Sequence, residues 1–376
     1  MTQAATIERV AANRDLVGDV CINGRFLTQR ASGVQRFARE LVGALDAELA
    51  KNVPGKTKRK WVLLVPPGVE KLPALQHIEL REIGTTSGHL WDQLVRFHCK
   101  PDDILVNLAN SGPIFRRRSI AIIHDAAVYR TPLNFTRAYR FFHQMLGRLV
   151  AQRSVIGTVS QFSRRELANV LRLDPEGIFV VPNSCEHLRA VTPDTSILAR
   201  LSLTTGEYFL AIGSPVPNKN LRTAITAFSR LKDTTKKFVI VGAVDTAVFG
   251  QGLADVPAGV VLAGGIPDEQ VTALLKHATA LVFPSIYEGF GIPPLEAMLN
   301  RCPVIASEIP PVEEVCADAV LYFDPKDADS LAGAMQLALD KPDLLRELVA
   351  RGEARAALFS WRRSAARLMD AVASLG

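Results

Sequence analysis

The sequence is poor in the features that mark membrane-spanning, secreted or metal-stapled chains. It has no run of about 18 apolar residues, the length a membrane-crossing helix needs. Its best short runs, Trp61–Val65 and Ala280–Phe283, are strand-sized. Residues 1–15 carry Glu8, Arg9, Arg14 and Asp15 without an apolar core, so they do not read as a secretory signal. Five cysteines (Cys21, Cys99, Cys185, Cys302 and Cys316) are odd in number and scattered, with no Cys-x-x-Cys pair and no clustered His. This argues against a disulfide framework or a structural zinc site. No internal repeat stands out, and the basic stretch Lys51–Lys60 is the one biased segment. The expectation is a cytoplasmic chain whose membrane contact is confined to its surface, at the inner face of the plasma membrane.

The composition, 48% hydrophobic and 22% charged over 376 residues, is that of a globular protein and makes two domains the natural expectation. Charge is unevenly shared. Residues 1–190 hold 27 Lys and Arg against 17 Asp and Glu, a net +10, whereas residues 191–376 hold 17 against 21, a net −4. The first half is therefore expected to meet something anionic: nucleic acid, an acidic lipid surface or a phosphorylated substrate.

Short apolar stretches alternate with helical periodicity. Val17–Ile22, Trp61–Val65, Ile104–Leu108, Ile120–Ile123, Val155–Val159 and Ile178–Val181 read as buried strands, with helices over Val34–Leu49 and Arg137–Gln152. A second series follows: Tyr208–Ile212, Phe238–Val241, Val260–Leu262, Ala280–Phe283, Pro303–Ile305 and Ala319–Tyr322. Strand–helix alternation implies parallel sheets covered by helices on both faces. Two such series imply two doubly wound α/β domains, residues 1–190 and 191–357, parted within Glu186–Leu203 and followed by a helical, basic segment 358–376. Ligands of such sheets bind beyond the carboxyl ends of the strands, so a shared site is expected in the cleft.

The most informative loop is Phe283-Pro284-Ser285-Ile286-Tyr287-Glu288-Gly289-Phe290-Gly291-Ile292-Pro293-Pro294-Leu295-Glu296. Prolines suit the first helical turn, and free amides at a helix start favour an anion. Gly289 and Gly291 admit close backbone approach. Glu288 and Glu296 can accept hydrogen bonds from vicinal hydroxyls, which fits a nucleotide-sugar pocket. Equally, the glycines can serve only as a turn and Glu296 only as a favourable charge near the helix N-terminus. A second loop, Gly213-Ser214-Pro215-Val216-Pro217-Asn218-Lys219-Asn220, places Lys219 at a helix start, where a cation is unfavourable unless an anion shares the site; a solvated surface lysine is the alternative. Asn220 is a candidate cap. In the first half, His124 ends the strand Ile120–Ile123 and can contact a reacting ligand or simply pack, and Gly33 opens a helix after the first strand. Asp327-Ala328-Asp329 has a spacing used for metals elsewhere, but it precedes Ser330-Leu331-Ala332 and reads as a helix start.

In this order, these residues resemble the retaining glycosyltransferases of family 4, which have the GT-B fold. The likeness spans nearly the whole chain. It includes Ser32-Gly33-Val34-Gln35-Arg36, Asn107-Leu108-Ala109-Asn110, His124-Asp125, Ser160-Gln161-Phe162-Ser163 and Val180-Val181-Pro182-Asn183. Further on it includes Lys219-Asn220, Gly264-Gly265-Ile266, Glu288-x7-Glu296, Pro303-Val304-Ile305-Ala306 and Asp324-Pro325. The resemblance implies two Rossmann-like domains facing across a cleft, the first receiving the acceptor and the second the donor, with the C-terminal helix crossing back to the first. It implies that Lys219, Glu288 and His124 carry the catalysis: Lys219 neutralising the donor diphosphate, Glu288 and the amides of Gly289–Gly291 holding the transferred sugar, and His124 near the reacting carbon. Gly33, Gly213, Ser214, Asn218, Phe290 and Ile292 would line the donor site, Glu296 would bind the ribose, and Gly265 and Ile266 would face the base. Many members carry an Arg where this chain has Asn218 or Ser214; Arg36 is the candidate second cation.

The activity so implied is transfer of a hexose, mannose in the leading reading and GDP-mannose as donor, to a lipid-diphosphate-linked or oligosaccharide acceptor in bacterial polysaccharide biosynthesis. No metal and no cofactor is required. The basic residues Lys51, Lys56, Lys58, Arg59, Lys60, Arg116–Arg118, Arg137 and Arg140 are expected to attract that acceptor and an anionic membrane surface. The competing readings are a GT-B epimerase or phosphorylase, and a nucleic-acid-binding protein, for which no recognisable module surrounds the basic runs.

Overall fold

The computed structural model describes residues 18–29, 32–51, 59–232, 235–242 and 257–375. Residues 1–15 and the basic pair Lys56 and Lys58 lie outside these segments.

Two sheets form, and all their pairings are parallel. The first comprises β1 (Val20–Asn23), β2 (Trp61–Val65), β3 (Ile78–Glu82), β4 (Ile104–Asn107), β5 (Ser119–Ile122), β6 (Val155–Thr158) and β7 (Phe179–Val180), in the order β3-β2-β1-β4-β5-β6-β7. The second comprises β8 (Tyr208–Ile212), β9 (Lys237–Val241), β10 (Val260–Gly264), β11 (Ala280–Phe283), β12 (Val304–Ser307) and β13 (Leu321–Phe323), in the order β10-β9-β8-β11-β12-β13. In each sheet the winding reverses once, between β1 and β4 and between β8 and β11. At such a point adjacent loops diverge and leave a crevice.

The covering helices include α1 (Gly33–Leu49), α2 (Gly88–Leu94), α3 (Arg137–Ala151), α4 (Gln161–Leu171), α5 (Leu221–Ser229), α6 (Asp268–His277), α7 (Ile292–Leu299), α8 (Pro310–Cys316), α9 (Ala328–Asp340), α10 (Pro342–Ala356) and α11 (Trp361–Ser374). The central strands are apolar because both faces are covered: β1, β2, β4 and β11 are buried throughout. The sequence reading omitted β3, for a physical reason. Only Ile78 of its five residues is buried, and Glu79, Arg81 and Glu82 present charge at the sheet edge.

α11 lies against the first domain. Trp361 meets Phe37 of α1 with ring centroids 5.8 Å apart, Ser364 Oγ donates to the Pro182 carbonyl at 2.6 Å, and the Trp361 amide donates to Glu186 at 2.8 Å. Asp327 caps α9 by accepting the Asp329 amide at 2.8 Å, the helix-start role read from its sequence. Among the described residues no helix is long and apolar enough to cross a membrane.

Candidate active site in the interdomain cleft

The loops that follow β8 and β11 converge. Gly213 follows β8 beside the Lys219 stem: a methyl group at Gly213 would lie 3.5 Å from Lys219 Cδ, an ordinary packing distance. Lys219 Nζ then reaches Glu288 Oε1 at 2.6 Å, with both side chains largely buried. Asn218 ties this loop to its neighbours. Its amide donates to the Tyr287 carbonyl at 3.1 Å and accepts from Asn134 of the first domain at 2.7 Å, while its own carbonyl receives the Ile286 amide at 2.8 Å. Ser214 is exposed beside it. Asn220 adopts a left-handed conformation (φ 53°) and caps no amide with its side chain; it donates to the Pro325 carbonyl instead. The capping expectation is corrected accordingly.

Past Glu288 the chain presses on the first domain. A methyl group at Gly289 would lie 2.5 Å from the His124 carbonyl oxygen and 2.9 Å from Asp125 Cβ. The Gly289 carbonyl accepts from Ser160 Oγ at 2.6 Å and from Ser163 Oγ at 2.9 Å. Phe290 turns its ring into the core, edge-on to Phe359, so its side chain does not line the donor site as the resemblance implies. Gly291, at φ 100°, begins α7 in a conformation that side chains avoid. Ile292, the first residue of that helix, lies opposite Gly33 of α1: a methyl group there would sit 3.4 Å from Ile292 Cδ1.

Glu296 sits one turn inside α7 and not in its first turn, because the helix already starts at Ile292. It is buried and accepts from His187 Nε2 at 3.1 Å, which rules out a mere surface charge at the helix end. Gly265 is exposed and Ile266 half-buried just before α6. Arg36 does not act as a free second cation. α1 aims it at the first turn of α6, where Asp268 takes both guanidinium nitrogens at 2.6 and 2.8 Å.

His124 is buried. Its amide donates to Asn110 at 2.7 Å, its Nε2–H donates to the Leu108 carbonyl at 3.0 Å, and its ring stands edge-on to Phe37 at 4.7 Å. Burial pushes its pKa down to about 4. Asp125, the next residue, lines a cavity of about 440 Å³ in the first domain. Burial raises its carboxyl pKa, and the negative charge of Glu288 adds to that while the Ala127 amide and Lys219 oppose it. The sequence marks Asp125 within His124-Asp125 but gives it no role of its own, and His187, a lone His in a loop, carries no spacing signal. Among the described residues no group of three or more His, Cys, Asp or Glu is placed to hold a metal.

Loops from the carboxyl ends of two sheets thus bring Lys219, Glu288 and Asp125 together, with Glu296 and His187 bonded further along the same interface. Residues 197–355 match the sequence model of the group 1 glycosyl transferases. The second domain carries the sequence pattern of this family. This glycosyltransferase is 29% identical over 266 residues to the O-antigen chain mannosyltransferase B of Escherichia coli, covering 68% of this chain and 70% of that protein. It is 29% identical over 236 residues to the O-antigen chain mannosyltransferase RfbU of Salmonella typhimurium (62% of this chain, 64% of that one). With the MMP alpha-(1->4)-mannosyltransferase of Mycolicibacterium hassiacum the identity is 30% over 267 residues, 68% and 62%. Solved structures share the whole architecture of the glycosyltransferase. WaaG, a glycosyltransferase of lipopolysaccharide biosynthesis, superposes with TM-score 0.71 at 16% identity over 94% of this chain and 99% of that one. Sucrose-phosphate synthase of Thermosynechococcus elongatus gives 0.72 at 18% over 95% and 99%. The fold is GT-B.

Proposed function

We propose that the protein transfers a hexose, mannose first among candidates, from a nucleoside-diphosphate sugar such as GDP-mannose to a lipid-linked or oligosaccharide hydroxyl in bacterial surface-polysaccharide biosynthesis, with retention at the anomeric carbon. The observation that carries this reading is the Lys219–Glu288 pair at 2.6 Å, held where the β8 and β11 loops meet Asp125 of the other domain. In this reading Lys219 takes the diphosphate, Glu288 and the amides of Gly289–Gly291 take the transferred sugar, and Glu296 takes the ribose. Gly265 and Ile266 face the base, and Gly33 leaves room for the phosphates. His124, neutral over the working pH range, packs beside the reacting carbon. Mannose is favoured by the names of the three relatives; the activity needs no metal in this scheme.

As the nucleotide leaves, negative charge gathers on the diphosphate and positive charge on the sugar ring. A fixed ammonium and helix-start amides aimed at the leaving group lower that barrier, and removing one such contact costs about 10²–10³ in turnover. Lys219→Ala should therefore lower transfer from GDP-mannose by about that factor, measured as product formed on a saccharide acceptor. Turnover within threefold of the parent would sink the assignment.

The basic first domain is assigned to the membrane surface by the same reading. Arg116–Arg118, Arg137 and Arg140 neighbour exposed Phe115 and Phe141 in the sequence, and Arg96 stacks over Phe97 and Phe115 at 4.6 and 5.1 Å. Co-sedimentation should then favour vesicles containing anionic lipid over neutral ones at low salt; equal partitioning would remove this part of the reading.

A further inference from the structure

We infer that the first-domain cavity clamps a phosphate group of the acceptor between Arg25, His89 and His143. The inference rests on the transfer reading above and adds the chemical class of the second substrate.

The cavity, about 440 Å³, is within the size range of small-molecule sites. Asp125, which feels the charges of Glu288 and Lys219, lines it together with Arg25, His89 and His143. Tyr139 also lines it, close enough to feel both Arg25 and Asp125.

Arg25 is held in place from behind. Its Nη1 donates to Ser111 Oγ at 2.7 Å and lies 3.4 Å from Asp92, a wholly buried carboxylate whose other oxygen receives Asn23 Nδ2 at 2.6 Å. Its Nη2 donates to His89 Nε2 at 3.2 Å. A guanidinium has no acceptor, so His89 must be the neutral tautomer with hydrogen on Nδ1. That Nδ1–H, like the Arg25 Nε–H, is buried and has no hydrogen-bond partner among the described residues. A buried donor without an acceptor is costly, and two of them on neighbouring side chains point to an oxygen-rich ligand.

His143 completes the group, its ring 5.3 Å from that of His89 and 4.1 Å from Tyr139. Burial, then the nearby His89 and Arg25, push its pKa down to about 4, so without an anion it stays neutral. Asp92, behind Arg25, already accepts from Asn23 and Arg25. Arg25, His89 and His143 line the cavity together, and a phosphate with its several acceptor oxygens suits their nitrogens better than a neutral hydroxyl does. A phosphoryl group here leaves the rest of the acceptor pointing towards Asp125 and the donor sugar.

A lipid diphosphate and a free sugar phosphate offer the same chemistry, so the test uses both. With the donor site saturated by GDP, protein labelled at histidine would be titrated with farnesyl diphosphate, glucose 6-phosphate or glucose and followed by NMR. The resonances of His89 and His143 should move with a phosphorylated probe and not with glucose, and the His143 titration midpoint should rise by about one pH unit or more. A response to farnesyl diphosphate alone assigns a lipid-linked acceptor, a response to glucose 6-phosphate alone a free one, and a response to both the phosphate itself. Arg25→Gln strips the partner from buried Asp92 and can unfold the chain, so His143→Phe, which keeps the ring packing, decides. It should weaken phosphate binding about tenfold or more. Neither imidazole responding to either probe, or His143→Phe binding within twofold of the parent, would overturn the inference. Sugar transfer failing while phosphate still binds would instead overturn the proposed function and leave this subsite standing.

Discussion

His124 ties the stability of the molecule to pH. The folded chain keeps its imidazole neutral down to about pH 4, whereas an unfolded histidine takes up a proton near 6.5. Between those values the unfolded state binds more protons than the folded one, so folding loses free energy as the pH falls. The contribution is complete above about pH 6.5 and lost progressively towards pH 4. From pH 7 to pH 5 the parent should lose about 2 kcal/mol more than His124→Gln, whose amide can still donate to the Leu108 carbonyl. Urea unfolding at the two pH values measures it, and parallel losses in both proteins would count against a neutral buried imidazole. The same neutrality restricts His124 to packing and hydrogen bonding, leaving the cation's part to Lys219.

Among the elements, the loop into α7 shows how two glycines close together serve different ends. Gly291 is there for its backbone angle, φ 100°, and Gly289 for space, since its neighbours are the His124 carbonyl and Asp125 Cβ. Gly289→Ala must therefore push one domain off the other and should cost roughly 1–3 kcal/mol, with a larger loss of activity because the displaced parts carry Glu288 and Asp125. Gly33→Ala meets only the tip of Ile292 at 3.4 Å and should cost well under that. Melting temperatures measured on both variants separate the cases; equal losses would refute the steric account. This loop was legible in the sequence because strand, glycines, prolines and acids all fall within one stretch. The strands of both sheets were legible for a similar reason: burial on two faces demands uninterrupted apolar runs, and edge strand β3, freed from that demand, escaped. The Arg25–His89–His143 cluster left no trace, since its members come from three separate elements and only the folded sheet brings them side by side. Arg36 misled for the converse reason, its partner Asp268 lying far along the chain in the other domain.

On the scale of the whole molecule, the two sheets are joined both by the cleft contacts and by α11. The cleft contacts are small and polar. They include Arg36 on Asp268, His187 on Glu296, the serines on the Gly289 carbonyl, and Glu314 of α8 accepting the Gln161 and Phe162 amides at the start of α4 at 2.7 and 2.8 Å. Partly exposed ion pairs such as Arg36–Asp268 contribute only about 0–1 kcal/mol each. α11 is different in kind. It buries Trp361, Ala365, Leu368 and Val372, with Trp361 against Phe37, and those apolar contacts do not exchange with water. Trp361→Ala should therefore cost about 3–5 kcal/mol and lower the Tm by roughly 10 °C, read by circular dichroism. A Tm within about 1 °C of the parent would mean that α11 is a passive tail, and the first domain's core would then have to stand without it.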